Sequence, residues 1–221
     1  MSQYNKYIDH TLLKADAVKE DIEKLCEEAV EYDFKSVCVN SYWAPYCKSL
    51  LSGSDVEVCC VIGFPLGANS SASKAFEAKD AVSIGADEID MVINIGELKA
   101  NNLDIVISDI QEVKDAIGNK VLKVIIETAL LSKEEIVRAC EAIMATTADF
   151  VKTSTGFSTA GATLENVKLL KSVVKDDKLI KAAGGVKTPA DLKEFIEAGA
   201  NRIGTSSGVK LIQGDKAEGS Y

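Results

Sequence analysis

The chain has 221 residues, 47% of them hydrophobic and 27% charged, with a formal net charge of −9. That length carries a sizeable core, and the negative balance offers no general positive field for phosphates, which argues against a nucleic-acid partner. The N-terminus has no apolar signal core, and no run approaches the ~18 apolar residues of a membrane span, so a cytoplasmic location away from membranes is expected.

Short apolar runs alternate with amphipathic segments along the whole chain. The first predicted strand is Tyr7–Leu12, followed by a helix over Val18–Tyr32 with Ile22, Leu25, Cys26 and Ala29 at i, i+3, i+4 and i+7. Further strands are predicted at Ser36–Asn40, Val56–Ile62, Glu88–Asn94 and Val121–Glu127. Ser132 and Glu135 have the form of a capping box opening the helix after the fifth strand. The last three strands are Phe150–Thr153, Leu179–Ala182 and Arg202–Gly204. Between the last two, Thr188-Pro189 supplies an N-cap with proline at N1, and Gly199 ends the helix. Repeated βα order without a break in composition implies one domain over 1–221, built on a parallel sheet, with a polar tail from about 213 to 221. An open doubly wound sheet also has this order. The strand count, the length and the polar strand interiors favour a single-domain TIM (β/α)8 barrel.

Alternate residues of a barrel strand face inward. Asp9 and Thr11 share a face of the first strand, and Ser36, Cys38 and Asn40 share one of the second. Glu88 and Asp90 share a face of the fourth, and Lys123 and Glu127 one of the fifth. Lys152 follows on the sixth strand and Lys181 on the seventh. With the apolar faces turned to the helices, the interior holds Asp9, Asp90, Lys123, Glu127, Lys152 and Lys181. Opposite charges pair there, which makes their burial tolerable. A structural salt-bridge core is the plainer account, but barrel interiors are mostly branched and apolar, so function is the better one. Lys123 and Glu127 read as supporting ion-pair residues, and Asp90, Lys152 and Lys181 as reacting groups.

Lys152 lies in Phe150-Val151-Lys152-Thr153-Ser154-Thr155-Gly156, a buried strand running into a polar turn. Desolvation and a second lysine on the neighbouring strand both disfavour an ammonium ion and favour a nucleophilic amine. The turns after the last strands, Ala183-Gly184-Gly185-Val186 and Gly204-Thr205-Ser206-Ser207-Gly208, are rich in glycine and hydroxyls. Glycine lets backbone approach an anion closely, and barrels of this class often hold phosphate there. Tight βα turns alone would look similar. Gly156, Gly184, Gly185, Gly204, Ser206 and Ser207 are the candidate substrate and phosphate contacts. The six cysteines include no CxxC pair and read as reduced thiols, with Cys59 and Cys60 as core packing. The lone histidine, His10, has outward parity and reads as a packed or hydrogen-bonded core residue. A histidine zinc site is excluded, and no metal or cofactor is expected.

At these positions the sequence resembles the deoxyribose-phosphate aldolase family. The likeness is carried by Asp9-His10-Thr11, Ser36 to Asn40, Val61-Ile62-Gly63-Phe64-Pro65-Leu66-Gly67 and Glu88 to Asn94. It continues through Lys123 to Thr128, Phe150 to Phe157, Lys181 to Val186 and Arg202 to Gly208. The resemblance implies a metal-free class I aldolase that reversibly cleaves 2-deoxy-D-ribose 5-phosphate to acetaldehyde and glyceraldehyde 3-phosphate. It implies that Lys152 is the Schiff-base lysine, that Asp90 and Lys181 transfer protons, and that Tyr221 reaches back over the site. Asp9, Thr11, Cys38, Asn40, Lys123, Glu127 and Thr155 complete the supporting pocket. The partners expected are a small phosphorylated sugar and aldehydes, with homo-oligomer formation left open. Rival readings are a different lysine aldolase, a sugar-phosphate isomerase with Glu127 as base, and a phosphate-binding sensor.

Overall fold

The computed structural model describes residues 3–216. Eight parallel strands close into a barrel in sequence order, with β1 hydrogen-bonded to both β2 and β8. They are β1 (Ile8–Leu12), β2 (Ser36–Asn40), β3 (Glu57–Ile62), β4 (Glu88–Val92), β5 (Val121–Ile125), β6 (Phe150–Lys152), β7 (Leu179–Ala183) and β8 (Arg202–Thr205). The helices between and after them are α1 (Lys19–Glu31), α2 (Ala44–Leu50), α3 (Ser71–Ser83), α4 (Ile95–Lys99), α5 (Leu103–Ile117), α6 (Lys133–Met144), α7 (Leu164–Val174), α8 (Pro189–Glu197) and α9 (Gly208–Gln213). The strand order is as expected from the βα repeat. The connection from β4 to β5 carries two helices, α4 and α5, where the repeat pattern predicts one.

Helix ends follow from local chemistry. The Ser132 hydroxyl accepts from the Glu135 N–H at 3.2 Å, and the Glu135 carboxylate accepts from the Ser132 N–H at 2.8 Å. Thr188 and Asp191 make the same reciprocal pair at the head of α8, with Pro189 in the first turn. These bonds satisfy N–H groups that the helix itself leaves unpaired. On α1 the buried residues are Ile22, Leu25, Cys26 and Ala29, the stripe read from the spacing.

The main apolar core lies between barrel and helices. Outward strand residues such as Ile8, Val37, Val58, Ile89, Val124, Val151, Ile180 and Ile203 pack there against the helix stripes. Each fully buried aliphatic side chain contributes about 1.5–3 kcal/mol relative to exposure, so this layer outweighs any one polar contact. Inside the barrel the apolar cluster is small, made of Leu13, Cys38, Cys59 and Val61, with Phe64 against it. The rest of the interior holds the charged side chains, with Val92, Ile125 and Phe150 on the same strand faces.

Three strands end earlier than predicted, β6 by one residue at Lys152 and β4 and β5 by two. β4 stops at Val92 and β5 at Ile125, so Asn94 and Glu127 lie in the loops beyond them. Asn94 turns into an N-cap for α4, its side chain accepting from the Glu97 N–H at 3.2 Å. Glu127 adopts a left-handed backbone with φ +53°, which ends the strand ladder there.

Candidate active site

The strand register sets the geometry. Asp90 lies beside Lys123 in the β4–β5 pairing, and Lys152 lies beside Lys181 in the β6–β7 pairing. All four side chains point inward, and none exceeds 2% exposure. Asp90 is the hub. Its Oδ1 accepts from Lys123 Nζ at 2.9 Å. Its Oδ2 accepts from both Lys152 Nζ at 2.7 Å and Lys181 Nζ at 2.8 Å. One carboxylate oxygen therefore holds the two lysine nitrogens side by side. Lys181 also pairs with Asp9 Oδ2 at 2.6 Å, and Lys123 with Glu88 Oε2 at 2.6 Å. Arg202 pairs with Asp9 through one guanidinium nitrogen and with Glu88 through the other.

Removing such charges from water costs several kcal/mol per ion, and only complete pairing offsets it. Burial pushes the Asp90 carboxyl up, but the charges of Lys123, Lys152 and Lys181 outweigh it and hold the group well below the usual aspartate range. Burial likewise disfavours the Lys181 ammonium, and Asp9 with Asp90 overcomes it, so the group is held well above the usual lysine value. Lys123 is raised in the same way, against burial, by Asp90 and Glu88 among its neighbours. Asp90 thus stays an anion, and Lys181 and Lys123 stay cations.

A cavity of about 590 Å³ opens at the carboxyl ends of β1 and β8, lined by Thr11, Leu13, Lys14, Phe157, Ser206 and Ser207 among others. Neither Lys152 nor Asp90 lines it. Thr11 lines the cavity two residues beyond Asp9 on β1, and its hydroxyl donates to the Asp9 backbone carbonyl at 2.9 Å. Beside it the loops after β6 and β7 touch backbone to backbone, Ala162 N–H donating to Ala183 C=O at 3.0 Å. A Cβ on Gly161 would come within 2.6 Å of the Gly184 carbonyl carbon. Gly156, Gly184 and Gly185 all have positive φ, at +88°, +70° and +79°. That conformation is open to glycine and costly for other residues.

The family model for DeoC/LacD family aldolases matches residues 4–214. The chain belongs to this family. Deoxyribose-phosphate aldolase 1 of Mesoplasma florum is 58% identical over 217 residues, which is 98% of this chain and 99% of that protein. Among solved structures, one described as an aldolase, QR15, superposes with a TM-score of 0.92 at 42% identity, covering 96% of each chain. The tetrameric deoxyribose phosphate aldolase of Aeropyrum pernix gives a TM-score of 0.86 at 32% identity, covering 95% of this chain and 89% of that one.

In this aldolase, Asp9, Asp90, Lys123, Lys152 and Lys181 are brought together as the alternation predicts. Glu127 is not part of the ion-pair set. Its carboxylate accepts from the Thr155 backbone N–H at 3.2 Å and from the Thr155 hydroxyl, and no ion pair to it is found among the described residues. The early end of β5 and the left-handed turn aim it at the β6 loop instead of the lysines. Cys38 is fully buried inside the barrel, and Asn40 is half-buried, with its amide donating to Leu13 C=O at 3.3 Å. Cys59 and Cys60 do not share a fate. Cys60 joins the outer core, while Cys59 faces inward and its thiol donates to Asp90 Oδ1 at 3.2 Å. Adjacent strand residues point to opposite faces, so one of the two had to enter the site. His10 is buried and hydrogen-bonded through Nε2 to Glu28 at 2.7 Å, as its parity indicates. All six cysteines are free and buried. Tyr221 lies outside the described residues.

Arg202 is the charged interior residue that the sequence reading passes over, and Glu88 is placed on the inward face without a partner. The signal was available: Arg202 has the same parity as Gly204 and sits beside Lys181 in the register. A second buried ion pair, Lys74 to Asp109 at 2.6 Å, joins α3 to α5 outside the barrel. No strand alternation could reveal it, because both partners sit on helices.

Proposed function

We propose that the protein reversibly cleaves 2-deoxy-D-ribose 5-phosphate to acetaldehyde and D-glyceraldehyde 3-phosphate, with Lys152 as the covalent nucleophile. The observation that carries this reading is the shared Asp90 oxygen, 2.7 Å from Lys152 Nζ and 2.8 Å from Lys181 Nζ. A nucleophilic amine and a protonated acid are thereby held on one relay.

In this reading the neutral Lys152 amine attacks C1 of the open-chain sugar. The carbinolamine hydroxyl leaves as water with a proton supplied by Lys181, which Asp9 and Asp90 keep charged. The protonated imine then draws the electrons of the C2–C3 bond. The C3 hydroxyl loses its proton through the Asp90 relay, by way of a water, and glyceraldehyde 3-phosphate departs. The enamine left on Lys152 is protonated at C2, and hydrolysis releases acetaldehyde and regenerates the amine. Asp90 is a weak base in this environment, which suits a relay and anchor better than a lone proton acceptor. The phosphate is assigned to the cavity at Ser206 and Ser207 and to the Gly184-Gly185 loop, supported by their place beyond the last two strands. Gly156 and Gly204 complete that assignment.

The net charge of −9 supports a small metabolite over a nucleic acid as partner. No described helix is long and apolar enough to cross a membrane, and the unpaired thiols support a reducing, cytoplasmic setting. Assembly into a homo-oligomer is supported by the tetrameric state of the Aeropyrum pernix relative.

Borohydride trapping with 2-deoxyribose 5-phosphate, followed by peptide mass spectrometry, tests the reading. A reduced adduct is expected on Lys152, and none in Lys152→Ala. An adduct on Lys181 would exchange the two lysines' roles. Its absence from folded protein turning over substrate would sink the imine mechanism.

A further inference from the structure

The charged side chains inside the barrel form a closed circuit. From Arg202 the contacts run to Asp9, then Lys181, Asp90, Lys123 and Glu88, and back to Arg202. The sign alternates at every step. The ring contains three cations and three carboxylates, and each touches two of opposite sign. The Phe150 ring lies 5.9 Å from both Lys123 Nζ and the Arg202 guanidinium carbon, so an aromatic face lies against that side of the circuit. Lys152 is pendant, joined among the described residues at Asp90 Oδ2.

We propose that Arg202 and Glu88 are positioning residues for the Lys152 chemistry: by closing the ring they complete its neutrality, so that a proton on Lys152 is the one charge of the layer no carboxylate balances. This rests on the reading of Lys152 as nucleophile. Neither residue has an ion pair or hydrogen bond to Lys152 among the described residues. They act through Asp9 and Lys123, the two neighbours that fix Lys181 and Asp90. A net charge in a buried layer is costly, so a balanced ring disfavours an added proton. A ring short of one cation welcomes it.

The buried titratable groups on the inner strand faces around Lys152 are Asp9 on β1, Cys38 on β2, Cys59 on β3, Glu88 and Asp90 on β4, and Lys123 on β5, while Glu127, beyond the end of β5, is turned to Thr155. Lys181 on β7 and Arg202 on β8 complete the set. Glu57, paired with Lys35 at 2.7 Å, flanks Glu88 at the edge of the layer. The ring members hold their charges firmly. Burial pushes the Cys59 thiol up and keeps it neutral. Cys38 is the exception: the hydrogen bond with Cys59, against burial, lowers it to about 7. Cys38→Ser is therefore the background for the test.

The experiment compares the pH dependence of kcat/KM, and of borohydride trapping on Lys152, in Arg202→Met, Glu88→Gln and the double variant. Arg202→Met leaves the ring one cation short, and its acidic limb is expected to move to higher pH by on the order of one unit. Glu88→Gln leaves it one anion short, and its limb is expected to move to lower pH by a similar amount. The double variant should return close to the starting position, and Arg202→Lys should stay there. Should Arg202→Met fail to fold, the near-isosteric Glu88→Gln decides the sign alone. Shifts in the same direction, or no shift while the adduct still forms, would overturn the proposal. A purely structural role lowers stability or kcat without moving the two limbs apart. Failure of trapping in the unsubstituted enzyme removes the nucleophile reading instead, and is distinguishable from both.

Discussion

At the scale of single residues, the site depends on one carboxylate serving three lysine nitrogens. Asp90 divides its oxygens between Lys123 on one side and Lys152 with Lys181 on the other. Asp90→Asn keeps the shape and withdraws the anion. Imine formation is expected to slow by roughly 10²–10⁴-fold, the usual range for a lost proton-transfer group, while far-ultraviolet circular dichroism keeps its barrel signature. A near wild-type trapping rate in folded protein would take Asp90 out of the relay. These residues were legible in the sequence because strand alternation is a local property: Lys152, Lys181, Lys123 and Asp90 had to share the inner face once their strands were placed. Glu127 was misjudged as an ion-pair partner because its left-handed turn, φ +53°, breaks the alternation two residues after β5 ends.

At the scale of elements, the loops after β6 and β7 are fitted to one another through their glycines. A Cβ on Gly185 would collide with the Ala162 carbonyl oxygen, and the residue's φ of +79° disfavours any side chain. Gly185→Ala is expected to push the β7 loop away from the β6 loop. The KM for the phosphorylated sugar should then rise about tenfold or more, with a smaller change in KM for unphosphorylated 2-deoxyribose, since lost phosphate contacts act on uniform binding. Equal losses for both sugars in steady-state kinetics would place the phosphate away from this loop. The glycine-rich turns were visible in the sequence as punctuation. Their mutual contact was not, because Gly161 and Gly184 meet only after β6 and β7 pair. The reciprocal cap of α6 and the Thr188 N-cap of α8 were visible, since each is written within four residues, whereas the return bond from Asp191 to the head of α8 was read only from the structure.

At the scale of the molecule, the charged interior couples stability to pH on both sides of neutrality. Asp9, Glu88 and Asp90 are held below their ordinary values, near 3.8 for aspartate and 4.5 for glutamate, by the cations around them and against burial. Their contribution is therefore fully present above those values and is lost as pH falls through the folded ones. Lys123 and Lys181 are held above 10.5, so their contribution is present below it and is lost as pH rises through the folded values. The buried thiols Cys47, Cys59, Cys60 and Cys140 are also raised above their ordinary value of 9.0, so urea midpoints are expected to form a plateau between about pH 5 and pH 8 and to fall on either side. A midpoint that rises on acidification from pH 5 to pH 3 would contradict this account of the core. By itself the sequence determined the βα repeat, the outward apolar faces, the inward lysines and aspartates and the family, because period-two alternation, helix caps and family motifs are written along the chain. Tertiary structure alone decided that the inward charges close into a ring through Arg202 and Glu88, that Cys59 joins Asp90, and that Lys74 meets Asp109. Those contacts join residues far apart in the chain, and they exist only once the barrel has closed and its helices have packed around it.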